Sequence, residues 1–279
     1  MHMNTPSLYL GTSSWTAVGW ETAFYPPRTK EADYLPFYAG RFNSVEIDST
    51  FYRIPAAKTV QQWRERTPEG FVFAAKVPQS ITHEKVLVGA EGDLKAFLGV
   101  MDLLGPKLGP LLVQLPYFNK ERFAGLDDFL RVLEPFLCSL PKDHQWAVEV
   151  RNKNWLGERF FSVLRNYGVA LTLIDQAWMP RPSEVFQRGD PITAGFAYVR
   201  WLGDRKGIEQ RTLVWDRTII DRTPELREWV RLLRPVWSRG VITYVYANNH
   251  YAGFAPETVR VFNELWAEGK PGTLGTYGS

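Results

Sequence analysis

The chain of 279 residues is poor in cysteine and histidine. Its single cysteine, Cys138, excludes a disulfide within the chain and makes a reducing, cytoplasmic setting the default expectation. Cys138 lies in the apolar run VLEPFLCSL, which predicts a core residue rather than a nucleophile. The four histidines are too few to predict a site that holds several zinc ions.

Long apolar stretches and a strong charge bias are also lacking. No apolar run approaches the length of a membrane span, and the opening residues MHMNTPS lack the apolar segment of a secretory signal. The 33 basic and 30 acidic residues nearly cancel, so net charge alone does not indicate nucleic-acid binding. We therefore expect no membrane partner, and nothing in the sequence indicates an obligate protein partner.

Phosphate-binding loops are missing as well. No strand-like segment is followed by GxGxxG or by a Gly-Lys-Ser/Thr loop, and no linker divides the chain. These absences argue against a doubly wound nucleotide-binding sheet, the main alternative fold. One domain over residues 1–279 is expected, with 1–7 outside its folded part and 270–279 as a tail.

What the chain does contain is an alternation of short apolar strands and amphipathic helices. Eight segments have the character of strands, at 8–15, 44–52, 71–80, 109–116, 146–151, 169–175, 196–201 and 241–249. Helical periodicity fills most of the gaps, at 30–42, 56–68, 92–105, 126–137, 157–168, 223–237 and 255–269. The gap at 176–195 contains Pro and Gly and shows no clear helix. This order predicts an α/β fold, a single (β/α)8 TIM-type barrel with one helix missing or replaced by a loop after strand six.

The segment VEIDSTFYR, at 45–53, alternates apolar residues with carboxylates. Val45 and Ile47 suit the face that packs on helices, so Glu46 and Asp48 are predicted to face the barrel interior. The same alternation predicts inward polar side chains at the ends of five more strands: Lys76, Gln114, Glu149 with Arg151, Asp175, and Arg200. Because a TIM barrel builds its active site at the C-terminal ends of its strands, these residues predict a polar mouth.

Several short motifs together resemble one family. They are GTSSW at 11–15, SVEIDSTFYRIP at 44–55, FAAKVPQSITH at 73–83, QLP at 114–116, AVEVRNKNW at 147–155 and YANNHYAGFAP at 246–256. This set is similar to the YecE-like family, also called domain of unknown function 72, and the resemblance implies a TIM-type barrel but no particular reaction. The positions that it marks are Gly11, Trp15, Glu46, Asp48, Thr50, Tyr52, Lys76, Thr82, His83, Gln114, Glu149, Arg151, Asn248, Asn249 and His250.

The residue types at the predicted mouth favour an enzyme, a hydrolase or an isomerase, that acts on an anionic, phosphorylated substrate. The catalytic candidates are carboxylates and bases that can exchange protons: Glu46, Asp48, Lys76, Glu149 and His250. The candidates for holding the substrate are Trp15, Tyr52, His83, Gln114, Arg151, Arg200, Asn248 and Asn249.

Four alternatives remain open. Basic residues interleaved with aromatic ones suit a non-catalytic protein that binds nucleic acid or a nucleotide. Glu46, Glu149 and Asp175 have the oxygen ligands that Mg or Mn prefers, which would give a metal-dependent phosphodiester hydrolase. Two carboxylates also suit a glycosidase, but barrel glycosidases resemble one another in using strands four and seven, where this chain has Gln114 and Arg200. Finally, the charged residues can form a purely structural network of ion pairs.

Overall fold

A computed structural model describes residues 8–268; the predicted flanking segments 1–7 and 270–279 lie outside the described residues. The eight predicted strands are all present: β1 (Leu8–Thr12), β2 (Ser44–Ile47), β3 (Val72–Lys76), β4 (Leu108–Gln114), β5 (Trp146–Glu149), β6 (Ala170–Gln176), β7 (Phe196–Gly203) and β8 (Ile242–Ala247). They run parallel in one sheet with the order β1-β8-β7-β6-β5-β4-β3-β2. The predicted barrel is therefore confirmed.

Helices fill every connection between consecutive strands, and two more follow β8. They are α1 (Trp20–Ala23), α2 (Tyr34–Ala39), α3 (Ala57–Glu65), α4 (Glu91–Met101), α5 (Leu126–Ser139), α6 (Glu158–Tyr167), α7 (Pro182–Gln187), α8 (Arg205–Glu209), α9 (Thr223–Ser238), α10 (Asn249–Ala252) and α11 (Ala255–Glu268). Within residues 8–268, no helix is both long and apolar enough to cross a membrane.

The connection after β6 differs from its prediction. The gap at 176–195 was expected to be a loop, but it contains the six-residue helix α7. Pro182 occupies the first turn of this helix, where a backbone N–H has no partner within the helix and proline is well tolerated. Six residues are too few to show a helical period in the sequence, which explains the error.

The floor of the barrel is filled by side chains of unequal size. Small residues on one side, such as Ala74 and Ala147, face large aromatic residues on the other, such as Tyr198, Tyr244 and Tyr246, and all of them belong to one buried interior cluster. Matching small with large side chains fills the interior at close-packed density. Any ligand site must therefore lie above this floor, toward the C-terminal ends of the strands.

Side chains close the barrel between its edge strands β1 and β2. The Asn43 amide accepts from the Leu10 N–H at 2.8 Å and donates to the Leu8 carbonyl at 2.9 Å. The Tyr38 hydroxyl, from α2, accepts from the last N–H of β1 at 2.8 Å and donates to the Ser44 carbonyl at 3.1 Å. These bonds satisfy backbone groups of both strands at the junction.

Gly11 lies at the tightest point of this junction. A Cβ atom at this position would stand 1.9 Å from the Ser44 carbonyl oxygen, a distance that no side chain can occupy. This contact explains why glycine stands in the first motif of the sequence.

A histidine is held between two carboxylates at the end of the barrel opposite the mouth. His144, just before β5, pairs through Nδ1 with Asp143 at 2.9 Å and through Nε2 with Asp102 at 2.8 Å. Burial disfavours the charged imidazole, but the bonds to the two carboxylates outweigh burial and raise the pKa of His144.

The prediction for the single cysteine was wrong. Cys138 is exposed, although its neighbours Leu133 and Leu137 are buried in α5. Successive residues of a helix are offset by about 100° around its axis, so Cys138 lies on the solvent side although Leu137 before it is buried.

Candidate active site at the barrel mouth

Two carboxylates at the mouth share one guanidinium group. Glu46 from β2 accepts from Arg200 Nε at 3.1 Å and from Nη2 at 2.7 Å. Glu149 from β5 accepts from Arg200 Nη1 at 2.8 Å. Both carboxylate side chains are fully buried, and Arg200, from β7, is buried between them. The alternation along three strands thus brings these three predicted residues together.

Neighbouring side chains complete this buried layer. Tyr198 donates its hydroxyl proton to Glu46 Oε2 at 2.6 Å. Arg151 pairs with Glu149 through one Nη atom and donates to Gln176 Oε1 through the other. Burial opposes ionisation of Glu149, but Arg151 and Arg200 outweigh it and lower the pKa of Glu149. Glu149 is therefore an ionised anchor at neutral pH rather than a group ready to accept a proton.

A second, more accessible layer contains Asp48 and Lys76. Lys76 Nζ lies 3.3 Å from Asp48 Oδ1 and 3.9 Å from the centre of the Phe51 ring. Burial lowers the pKa of Lys76, although Asp48 partly opposes that shift. The Asp48 side chain remains 35% exposed, so it is the member of the charged cluster that solvent reaches most easily.

A side-chain hydroxyl fixes the end of the strand that carries Lys76. The Thr50 hydroxyl lies 2.7 Å from the Lys76 carbonyl and 2.8 Å from the Ile47 carbonyl, which ties the end of β3 to the end of β2. This contact gives Thr50, one of the family motif positions, a structural role.

His83 lies near Lys76, since both side chains pack against the Phe51 ring. Its Nδ1 atom is 2.9 Å from the Thr82 hydroxyl, and its ring packs edge-on against Phe51. Burial, then Lys76 and Arg151, lower the pKa of His83. The imidazole is therefore neutral at physiological pH and can donate or accept a hydrogen bond.

The predicted residues after β8 are largely committed to their own chain. The Asn248 side chain accepts from the His250 N–H at 3.0 Å, and Asn249 accepts from the Ala255 N–H at 2.9 Å. His250 bonds to Asn248 through Nδ1 and to Glu209 of α8 through Nε2 at 3.0 Å. Burial lowers the pKa of His250. These residues shape the mouth wall, since most of their polar atoms are already bonded.

Three further candidates lie around the mouth without entering the charged cluster. Trp15 is half-buried and packs edge-on against Trp63. Tyr52 is 71% exposed in the loop after β2. Gln114, at the end of β4, is half-buried and donates only a long bond, 3.4 Å, to the Leu115 carbonyl.

Asp175 does not face the interior as predicted. It pairs in register with Trp201, on the outer face of the sheet, and accepts from Trp229 Nε1 at 3.0 Å and from the Tyr251 hydroxyl at 2.9 Å. Arg181 also approaches it, at 3.3 Å. The residue of β6 that joins the mouth is Gln176, after a register shift between positions 175 and 176.

The metal candidates are therefore not arranged around a common point. Arg200 occupies the space between Glu46 and Glu149, and Asp175 lies on the other face of the sheet. Among the residues that the structure describes, no three or more His, Cys, Asp or Glu side chains converge as a metal would require. The donor set at the mouth suits a buried ion-pair layer better than a divalent cation.

Comparison with protein families matches residues 9–276 of the chain to the family described as "Protein of unknown function DUF72". The chain is 27% identical to the UPF0759 protein YecE of Escherichia coli (strain K12), over 94% of this chain and 92% of that protein. It is 30% identical to the UPF0759 protein YunF of Bacillus subtilis (strain 168), over 55% of this chain and 54% of that one.

Solved structures give the same result for the fold. A DUF72 family protein of Thermotoga maritima MSB8 superposes with a TM-score of 0.73 at 24% identity, covering 94% of this chain and 99% of that one. A psychrophilic glycoside hydrolase family 10 endo-β-1,4-xylanase superposes with a TM-score of 0.50 at 8% identity, covering 87% and 86%. At such identities, the likeness concerns the barrel alone.

Proposed function

Because the chain belongs to the DUF72 family, whose description names no reaction, we propose a function from the geometry of its own mouth: it is an enzyme that acts on an anionic, phosphorylated substrate. The observation that carries the proposal is that Lys76 and His83 both pack against the Phe51 ring, while Arg151 reaches the same mouth from the end of β5. Lys76, Arg151 and His83 would hold the anion, and the buried layer beneath them would keep these side chains in place.

Unused hydrogen-bond donors support this assignment better than net charge does. The three cations Lys76, Arg151 and Arg200 are each paired with a carboxylate. However, Arg151 Nε and Ser13 Oγ, at the ends of β5 and β1, are buried polar atoms without a hydrogen-bond partner; apart from their ion pairs, so are the carboxylate oxygens Asp48 Oδ1 and Glu149 Oε1. An unmet buried donor costs about 1–3 kcal/mol, which the oxygen atoms of a bound phosphate would offset.

A lysine proton is also available at this site. An ammonium group has three N–H donors, and Lys76 has one carboxylate partner, Asp48, together with the Phe51 ring. With one N–H directed to Asp48 and one facing the ring, one donor remains for a ligand. Arg200, by contrast, directs its donors to Glu46 and Glu149, so we assign it a positioning role.

Asp48 and Lys76 are the residues to which we assign proton transfer. They lie 3.3 Å apart, and Asp48 is partly exposed. A lysine with a lowered pKa gives up its proton more readily near neutral pH, which is the property that a general acid or base needs. Glu46 and Glu149 would act indirectly, by fixing Arg200 and Arg151.

The proposal is tested by thermal unfolding in the presence of inorganic phosphate and simple phosphate esters. A ligand that binds the native state raises the unfolding temperature by mass action. We expect phosphate to stabilise the native protein and Lys58→Met, an exposed control on α3, but not Lys76→Met. An equal phosphate effect on Lys76→Met would reject the assignment of the anion site.

Catalysis is separated from plain binding by Asp48→Asn. An enzyme that uses Asp48 should lose turnover of a panel of chromogenic phosphate monoesters and diesters, while still being stabilised by phosphate. If no phosphorylated compound is turned over by the native protein, and phosphate still stabilises it through Lys76, the mouth is a binding site rather than an active site.

A further inference from the structure

The exposed apolar side chains of the molecule are concentrated around the mouth. Among residues 8–268, the exposed large apolar residues have exposed fractions between 43% and 71%, and each of them follows the C-terminal end of a strand. Val18 follows β1, Tyr52 follows β2, Val88 follows β3, Tyr117 follows β4, Trp178 follows β6, and Leu213 and Val214 follow β7. We call these seven residues the apolar rim. Their grouping on the functional face of the barrel indicates an interaction surface.

Unpaired cations lie in the loops at the same end of the barrel. Arg53, Lys120, Lys153 and Lys206 follow β2, β4, β5 and β7, and all four are exposed. Ion pairs within residues 8–268 involve none of them, whereas Arg205, in the loop with Lys206, is paired with Glu209. We call these four residues the rim cations. Their charge is available to a partner.

Two of the three exposed aromatic rings share a loop with a rim cation, and the third lies near a cation of the mouth. Tyr52 directly precedes Arg53, and Tyr117 lies in the same loop as Lys120. Trp178 lies two residues after Gln176, whose side chain accepts from Arg151 of the mouth. Stacking surfaces beside a track of positive charge are the features by which proteins bind single-stranded nucleic acid.

We propose that the substrate of the mouth is a single-stranded nucleic acid, whose bases stack on Tyr52, Tyr117 and Trp178 while its backbone follows the rim cations. This inference rests on the proposed function, because it places one phosphodiester of the strand at Lys76 and Arg151. A duplex fits the rim poorly, since its bases are already stacked inside it. A protein partner would cover the apolar rim but would leave the rim cations unexplained.

The first experiment measures binding of a fluorescently labelled oligothymidylate of about 12 nucleotides by anisotropy, over a range of salt concentrations. We expect affinity to fall steeply with salt, because each neutralised phosphate releases counterions. The double variant Tyr117→Ser/Trp178→Ser should bind about tenfold or more weakly, because it loses two stacking surfaces. Leu213→Ser, an aliphatic member of the apolar rim, should change affinity little.

A second pair of variants tests the charge. Lys120→Met should weaken binding and reduce the salt dependence by about one counterion. Lys95→Met, an exposed lysine on α4, should leave both unchanged.

The inference is overturned if the strand does not bind at low salt, if the rim variants bind it as tightly as their controls, or if a duplex competes equally well. Self-association that Leu213→Ser abolishes, without binding of the strand, would assign the rim to a protein surface instead and also overturn it.

The two proposals fail differently. If phosphate stabilises the native protein through Lys76 but the strand does not bind, the substrate class is wrong and the anion site stands. If the strand binds through Tyr117 and Trp178 but Lys76→Met changes neither phosphate stabilisation nor strand affinity, the anion site is wrong and this inference loses its placement of the phosphodiester. Measuring phosphate stabilisation and strand affinity on both Lys76→Met and Tyr117→Ser/Trp178→Ser distinguishes these results.

Discussion

Arg200→Met is the perturbation that most severely tests the buried layer. It keeps much of the side-chain volume but removes the guanidinium group that separates the fully buried Glu46 and Glu149. Removing one partner of a buried ion pair costs about 3–5 kcal/mol, because a buried charge is left without compensation. Glu46 loses its arginine, whereas Glu149 keeps Arg151, so we expect about 4 kcal/mol, the middle of that range. This is a large share of the roughly 5–15 kcal/mol that stabilises a typical domain.

The stability deficit of Arg200→Met should depend on pH with a definite sign. In Arg200→Met, Glu149 loses one of the two arginines that lower its pKa, so the pKa of Glu149 in the folded state should rise. A raised folded-state pKa means that protonation favours the folded form. The stability deficit relative to the native protein should therefore shrink as the pH is lowered from about 8 to about 5.5.

Urea unfolding followed by circular dichroism measures both effects. With a urea dependence of about 3 kcal/mol per molar, a loss of about 4 kcal/mol lowers the midpoint by roughly 1 M. Arg205→Met is the matched control, because its pair with Glu209 is exposed and such pairs contribute about 1 kcal/mol or less. A midpoint for Arg200→Met equal to that of the control, or a deficit independent of pH, would refute this account of the layer.

Three further outcomes follow from contacts elsewhere in the barrel. His144→Gln should lower stability at about pH 6 but hardly at about pH 8.5, because a raised folded-state pKa gives stability that is lost as the pH rises through it; equal effects in the two urea titrations would contradict this. Gly11→Ala should lower the thermal midpoint, since its Cβ meets a backbone oxygen, whereas Gly99→Ala, with open space in α4, should not; equal midpoints would reject the close contact. Cys138 should react with a thiol reagent in the native protein nearly as fast as in urea, and protection by folding would contradict its exposure.

The sequence predicted the barrel well because its strands are short apolar runs separated by amphipathic helices. The alternation along β2 and β5 also identified Glu46 and Glu149 as interior residues, since their neighbours Val45 and Val148 belong to the outer core. Which carboxylate binds which arginine was not predictable. The partners Glu46 and Arg200 are 154 positions apart, and only the closed sheet brings them together.

Asp175 shows where alternation fails. Strand β6 is buried on both faces and carries a polar residue on each, so its pattern does not show which face points inward. The polar Asp175 was placed inside on that basis, but donors from Trp229 and Tyr251 make a buried carboxylate stable on the outer face. The short helix α7 was missed for the related reason that six residues carry too little periodicity.

The central claim, an anion site formed by Lys76, Arg151 and His83, is tested most directly by locating a bound anion. Crystals of the native protein soaked in tungstate, an electron-dense phosphate analogue, would give an anomalous signal at any site that it occupies. We predict a peak within hydrogen-bond distance of Lys76 Nζ and Arg151 Nε, and its loss in crystals of Lys76→Met. A mouth that stays empty while tungstate binds elsewhere on the protein would contradict the claim.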